Sequence, residues 1–169
     1  MGKIIRRLFR LRPEYAISFY VLDFVFRKIF RQNAEVKYPL HHTSTIRNFE
    51  KLHLGKDTFP GDSPNVYINA QNSIYIGDFT NVGPNVSIVS ANHNLYDNSK
   101  HDITAPIRIG KNSWIGSHAV ILPAVELGEN TIVAAGAIVT KSFPEGFQVI
   151  GGNPARVLKS LKPKAIEME

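Results

Sequence analysis

From Ile109 onward the chain reads in sixes, and no other feature restricts its fold as much. The segments IGKNSW, IGSHAV, ILPAVE, LGENTI, VAAGAI and VTKSFP follow without a gap, and each opens on an aliphatic residue: Ile109, Ile115, Ile121, Leu127, Val133 and Val139. An earlier block, IGDFTN, VGPNVS and IVSANH, does the same from Ile76, Val82 and Ile88. All nine first positions are Ile, Leu or Val, although these residues make up only 42 of the 169. A period of six is neither the 3.6 of an amphipathic helix nor the 2 of a half-buried strand. It fits a short strand plus a corner, repeated around a prism, which is the pattern of a parallel β-helix.

Each slot then has a physical meaning. The aliphatic residue points inward and stacks on its counterpart one coil away. The fifth residue (Ser113, Ala119, Val125, Thr131, Ala137 and Phe143) is mostly small and also faces inward, near a corner where room is short. Glycine after the aliphatic suits a tightly turning backbone. Three faces make a coil of 18 residues, so 109–144 is two coils and 76–93 is one. A β-sandwich would not hold a phase of six over so long a stretch. Upstream, Ile46 and Leu52 are six apart, as are Ile68 and Ile74, but the second pair is two residues out of step with Ile76. Residues 41–75 therefore read as an irregular start of the same helix, with an insertion around the turn-rich Pro60-Gly61-Asp62-Ser63-Pro64. A length of 169 residues suits one domain. The expected division is a basic helical segment over 1–40, the β-helix over 41–152 with a loop at 94–108, and a short C-terminal helix and tail over 153–169.

The net charge of +6 suggests nucleic acid or membrane until it is located. Residues 1–40 hold nine Lys/Arg against three acids, and residues 41–169 hold eleven of each. The excess belongs to the N-terminal segment, and the body has no broad positive field for a polyanion. No nucleic-acid partner is expected. On a helical wheel Ile4, Ile5, Leu8, Phe9 and Leu11 share one arc, opposite Lys3, Arg6, Arg7 and Arg10. Such a helix suits a membrane interface. The apolar stretch Tyr15–Phe30 is too short and too charged to span one. Two readings stay open for this segment: a helical cap on the end of the prism, or peripheral membrane contact through residues 1–31. With no cysteine and no cleavage site of a signal peptide, a cytoplasmic protein is expected, in the second reading at the inner face of the membrane.

Asn94 to Arg108 leave the repeat, and loops of that length are often functional. His93 is the last residue before the departure. An imidazole there can take the proton of an attacking hydroxyl. A surface histidine in a turn is the alternative, and His118 shares the ambiguity. His41, His42, His53 and His101 give no sign of a role. Nucleophile elbows, Walker loops, dinucleotide fingerprints and zinc-protease motifs are absent from the sequence.

Three stretches, Ala91–His93, PIRIGKNSWIGSHAVILPAVELGENTIVAAGAIVTKSFPEG (Pro106–Gly146) and GGNPARV (Gly151–Val157), resemble the galactoside/maltose-type O-acetyltransferases among the left-handed β-helix acyltransferases. The resemblance implies an all-β, left-handed triangular prism, a left-handed exception to the usual crossover rule. It implies acetyl-CoA as donor and no metal cofactor. It places the family's base on His93 and an oxyanion-steadying amide on Ser117. Ala135, Thr140 and Lys141 fall where the family meets the pantetheine arm and phosphates, and Arg156 and Lys159 where it holds the nucleotide. Asn69 resembles an asparagine on the acceptor side. The loop after His93 is shorter than in the sugar-specific members, and residues 1–40 do not match the family's acceptor-binding acids. Family members are homotrimers with active sites between neighbouring prisms.

The expected activity is acetyl transfer to a saccharide hydroxyl, as in polysaccharide biosynthesis. An amino sugar or antibiotic as acceptor is the alternative within the same chemistry. A zinc carbonic anhydrase on this fold needs paired histidines on one turn, which the spacing of His93 and His118 does not provide. A non-catalytic assembly module would have no need of His93, Lys141 and Arg156.

Overall fold

Three stacks of short parallel strands realise the period of six. The computed structural model describes residues 15–162. The amphipathic pattern of residues 3–12 and the tail beyond 162 lie outside them. On the first face lie β1 (Thr45–Arg47), β3 (Tyr67–Asn69), β6 (Ser87–Val89), β9 (Val120–Ile121) and β12 (Ile138–Val139). The second carries β2 (Leu52–Leu54), β4 (Ile74–Ile76), β7 (Ile107–Ile109) and β10 (Glu126–Leu127). The third carries β5 (Asn81–Val82), β8 (Trp114–Ile115), β11 (Thr131–Val133), β13 (Gln148–Gly152) and β14 (Ala155–Ser160).

The first positions of the sixes stack one coil upon the next. Ile68 lies beside Ile88, Ile88 beside Ile121, and Ile121 beside Val139. Ile76, Ile109 and Leu127 form the second column, and Val82, Ile115 and Val133 the third. These side chains are buried, as are the fifth-position residues from Ser113 to Phe143. Burying a Val, Leu or Ile side chain is worth about 1.5–3 kcal/mol, so the columns carry most of the apolar stabilisation. Hydroxyls near the third face are satisfied within the stack. The amide of Thr80 donates to Thr58 Oγ1, that of Ser113 to Thr80 Oγ1, and that of Thr131 to Ser113 Oγ.

The registers explain the slip upstream of Ile76. From first face to second, the step is eight residues from Ile68 to Ile76, twenty-one from Ile88 to Ile109, and six from Ile121 to Leu127. The other two edges keep six in each of these coils, as from Ile76 to Val82 to Ile88. Extra residues thus leave the regular stack at one edge. The corner between second and third faces is closed by backbone contact: a Cβ on Gly110 would sit 2.4 Å from the Glu129 amide nitrogen.

Ahead of the prism, helix α1 (Ile17–Asp23) runs into a π-helical turn over Phe24–Ile29. Its Asp23 is buried, where it pairs with Arg27 and accepts from the Leu40 amide at 3.0 Å. Val36, Tyr38 and Leu40 join the core, and Asn33 bridges to Ser44 and Ile46, so residues 32–40 close the first coil. Burial pushes the Tyr38 phenol up, and its hydroxyl donates to the Pro60 carbonyl at 2.7 Å. The helix leaves Val21, Leu22, Phe24, Ile29 and Phe30 exposed.

The C-terminal helix expected from residue 153 is corrected over residues 155–160, which form β14. Gly152, at φ 97°, and the Asn153-Pro154 step reverse the chain, and β14 pairs antiparallel with β13. A free strand edge on the third face is a stronger partner for this segment than a helix without a seat would be.

Candidate active site

The loop after His93 is a short hairpin rather than open coil. His93 and His101 face each other in an antiparallel bridge, the Asn94 amide donates to the Lys100 carbonyl at 2.9 Å, and the Asp102 amide donates to the Asn92 carbonyl at 3.0 Å. Hydrogen bonds from Ser99, together with the Lys100 ammonium, hold the Asp97 carboxyl below its usual range. The base of the hairpin is tied to the prism by Asn72, whose Nδ2 donates to the carbonyls of Ser90 and Asp102 and to Thr104 Oγ1.

His93 itself is exposed, with Nδ1 2.8 Å from the Asn98 carbonyl oxygen. A carbonyl can only accept, so the proton of the neutral ring sits on Nδ1 and Nε2 keeps its lone pair. The His101 ring packs against it with centroids 4.4 Å apart. This arrangement can hold a base with one nitrogen ready to take a proton.

The remaining expected residues separate into two groups on opposite edges of the first face. Asn69 ends β3, His93 follows β6, and Thr140 and Lys141 follow β12, all on the edge toward the second face. Ser117 and Ala135 precede β9 and β12 on the other edge, where the Gly136 amide donates to the Ser117 carbonyl. Arg156 joins this second group, because it pairs with Gly151 next to β11. Lys159 lies farther along β14, opposite Val149. Ser117 and the far corner at Leu122 are separated by five residues, about 16 Å of extended chain. A base works within about 3 Å of the proton it takes. One chain therefore does not bring His93 and Ser117 together.

Sequence reasoning missed a cleft of about 360 Å³ on the third face, lined by Tyr15, Asp57, Phe59, Asp62, Asn81 and Trp114 among others. Tyr15 and residues between 57 and 63, which do not carry the repeat, wall it against the third face. The Tyr15 hydroxyl donates to Asp62 across it.

The strand columns and the hairpin at one corner define a β-helix of the hexapeptide-repeat class. Residues 106–141 match the family model described as bacterial transferase hexapeptide (six repeats). The chain is 32% identical over 136 residues to the galactoside O-acetyltransferase of Escherichia coli K12, covering 79% of this chain and 64% of that protein. It thus spans less than two thirds of the length of the curated relatives it matches. Its fold superposes on a maltose O-acetyltransferase from Clostridium difficile 630 with a TM-score of 0.66 and 27% identity, covering 88% of this chain and 90% of the other. A galactoside acetyltransferase solved with coenzyme A gives a TM-score of 0.65 at 27% identity, covering 89% and 82%. In repeat, sequence and fold the chain is similar to the hexapeptide-repeat acyltransferases of the galactoside and maltose O-acetyltransferase group, and its prism is left-handed.

Proposed function

We propose that the protein transfers an acetyl group from acetyl-CoA to a hydroxyl of a saccharide acceptor, within one ternary complex. The observation that carries this reading is the Nδ1 contact of His93 with the Asn98 carbonyl, which leaves Nε2 as proton acceptor. In the proposed step the acceptor oxygen attacks the thioester carbonyl while His93 takes the hydroxyl proton. The tetrahedral oxyanion rests on the Ser117 amide. Collapse breaks the carbon–sulfur bond, and the proton held on His93 passes to the departing thiolate. Thr140, Lys141, Ala135, Arg156 and Lys159 hold the donor, and Asn69 lies on the acceptor side.

The two groups on opposite edges of the first face support a homotrimer in which each site takes one edge from each of two copies. A threefold ring closes such a head-to-tail contact. The test is free-thiol release from acetyl-CoA across a panel of sugars, with the mass of the particle measured by light scattering in parallel. Acceptor-dependent release by a trimer is expected, and full activity from a monomer at nanomolar concentration defeats the reading.

The N-terminal segment supports a second role. Its exposed apolar side chains lie beside a strongly basic sequence, while residues 41–169 are charge-neutral and offer no acidic excess to pair with it. We propose a peripheral contact with an anionic lipid surface. Among the described residues no helix is long and apolar enough to cross a membrane.

A further inference from the structure

The end of the prism that carries the N-terminal helix presents a group of exposed side chains that the core does not use. Lys28, Ile29, Phe30 and Arg31 are four consecutive exposed residues, and Ile29 and Phe30 are 61% and 67% exposed. Val21, Leu22 and Phe24, earlier on the same helical run, are exposed as well. The run is nonetheless firmly seated. Arg27 Nη1 donates to the Val36 carbonyl at 2.6 Å, the same guanidinium pairs with Asp23, and the Phe26 ring lies 4.9 Å from that of His42. Lys28 and Arg31, by contrast, take part in no ion pair among the described residues. Two unpaired cations therefore bracket two large apolar side chains, on a helix end fixed to the base of the prism.

Such a grouping suits the boundary between lipid headgroups and acyl chains, where apolar side chains enter and cations meet anionic phosphates. The register sets how far the chemistry stands from that boundary. His93 follows β6, and β6 is two strands from β1 on the first face. Neighbouring strands are ~4.8 Å apart, so the His93 edge stands roughly 10 Å above the first coil. Residues 32–40 close that coil, and the helical run rests against them. A trimer joined along both edges of the first face has its axis parallel to the prisms. All three helical runs then lie at one end and meet one flat surface together. Resting on the proposed acetyl transfer and lipid contact, we infer that the acceptor saccharide is itself attached to a lipid and is acylated while it stands on the bilayer. A free sugar diffuses in bulk water, and a seat on the membrane brings the enzyme no closer to it. A glycolipid shares one thin layer with the enzyme, which raises their effective concentration. Its saccharide, standing up from the headgroups, spans the height to His93.

The intact protein is assayed by thiol release from acetyl-CoA with glucose, galactose, glucosamine and maltose as acceptors. Each sugar is offered in two forms at the same concentration of accessible saccharide. One is the methyl glycoside, dissolved beside phosphatidylglycerol vesicles; the other is the octadecyl glycoside, carried in such vesicles. With a sugar that reacts, kcat/KM is expected to be about tenfold or more higher for the octadecyl form. Ile29→Ser combined with Phe30→Ser should remove most of that advantage and leave the rate on the methyl glycoside unchanged. Because the Phe30 ring also lies 5.5 Å from that of Phe26, Lys28→Gln combined with Arg31→Gln serves as a second variant that keeps this packing. Equal rates on the two forms, or an advantage that survives both variants, overturns the inference while acetyl transfer stands. A change of particle mass in the serine variant also overturns it, since the surface then belongs to a contact between copies. Thiol release that fails with every sugar in both forms overturns the transferase reading instead.

Discussion

Replacing His93 by alanine separates catalysis from folding with unusual clarity in this chain. The side chain is exposed, and its one internal hydrogen bond goes to the Asn98 carbonyl, which water can satisfy on so open a hairpin. Removal leaves no buried group unpaired, so the cost in stability is within about 0.5 kcal/mol, the usual range for a surface site. The cost in rate is of another order. A positioned general base contributes about 10²–10⁴-fold, equivalent to about 2.7–5.4 kcal/mol of barrier at 1.36 kcal/mol per tenfold. His93→Ala should therefore lose that factor in kcat, with the melting temperature and the affinity for acetyl-CoA nearly unchanged. The assay is thiol release under saturating donor, beside calorimetric binding of acetyl-CoA. Two controls sharpen the test: His101, whose ring packs on His93, and His118, which sits at φ 62° in the corner beside Ser117. His101→Ala and His118→Gly should keep most of the turnover. Near-full turnover in His93→Ala, with the loss falling on either control, refutes the assignment.

Removing the charges of Lys141 and Arg156 together should raise the KM for acetyl-CoA with less effect on kcat, because contacts remote from the reacting carbonyl bind ground and transition states alike. A fall in kcat alone, in steady-state kinetics, contradicts the donor placement. Ile121, fully buried between Ile88 and Val139, should cost about 2–5 kcal/mol on truncation to alanine, read from denaturant unfolding. Phosphatidylglycerol vesicles should sediment the protein at low salt and release it at high salt as the surface charge is screened; indifference to the vesicles removes the lipid contact.

The three faces were legible in the sequence because each first and fifth position carries its own inward-facing residue, and the column from Ile88 through Ile121 to Val139 falls where the sixes put it. The slip at Ile74 looked like irregularity and is a lengthened corner, since Ile74 and Ile76 both point inward on one strand. Asp57, Asp62 and Trp114 could not be joined beforehand. They come from an insertion and from a strand two coils away, and no spacing links them. The tautomer of His93 depends on the Asn98 carbonyl, a backbone atom that any residue could supply. Residues 155–160 form a strand where a helix is expected because β14 owes its form to the open edge of β13, a neighbour that local pattern does not reveal.

All variation in coil length among the regular turns falls on the edge that carries His93, while the glycine corner opposite admits not one added carbon. Such a scaffold inherits stability and selectivity separately. Segments of different length can be exchanged at the variable margin without shifting the register of any column. The same margin is the natural place to graft a foreign loop when the protein is re-engineered, and the fixed corners are the places to leave alone.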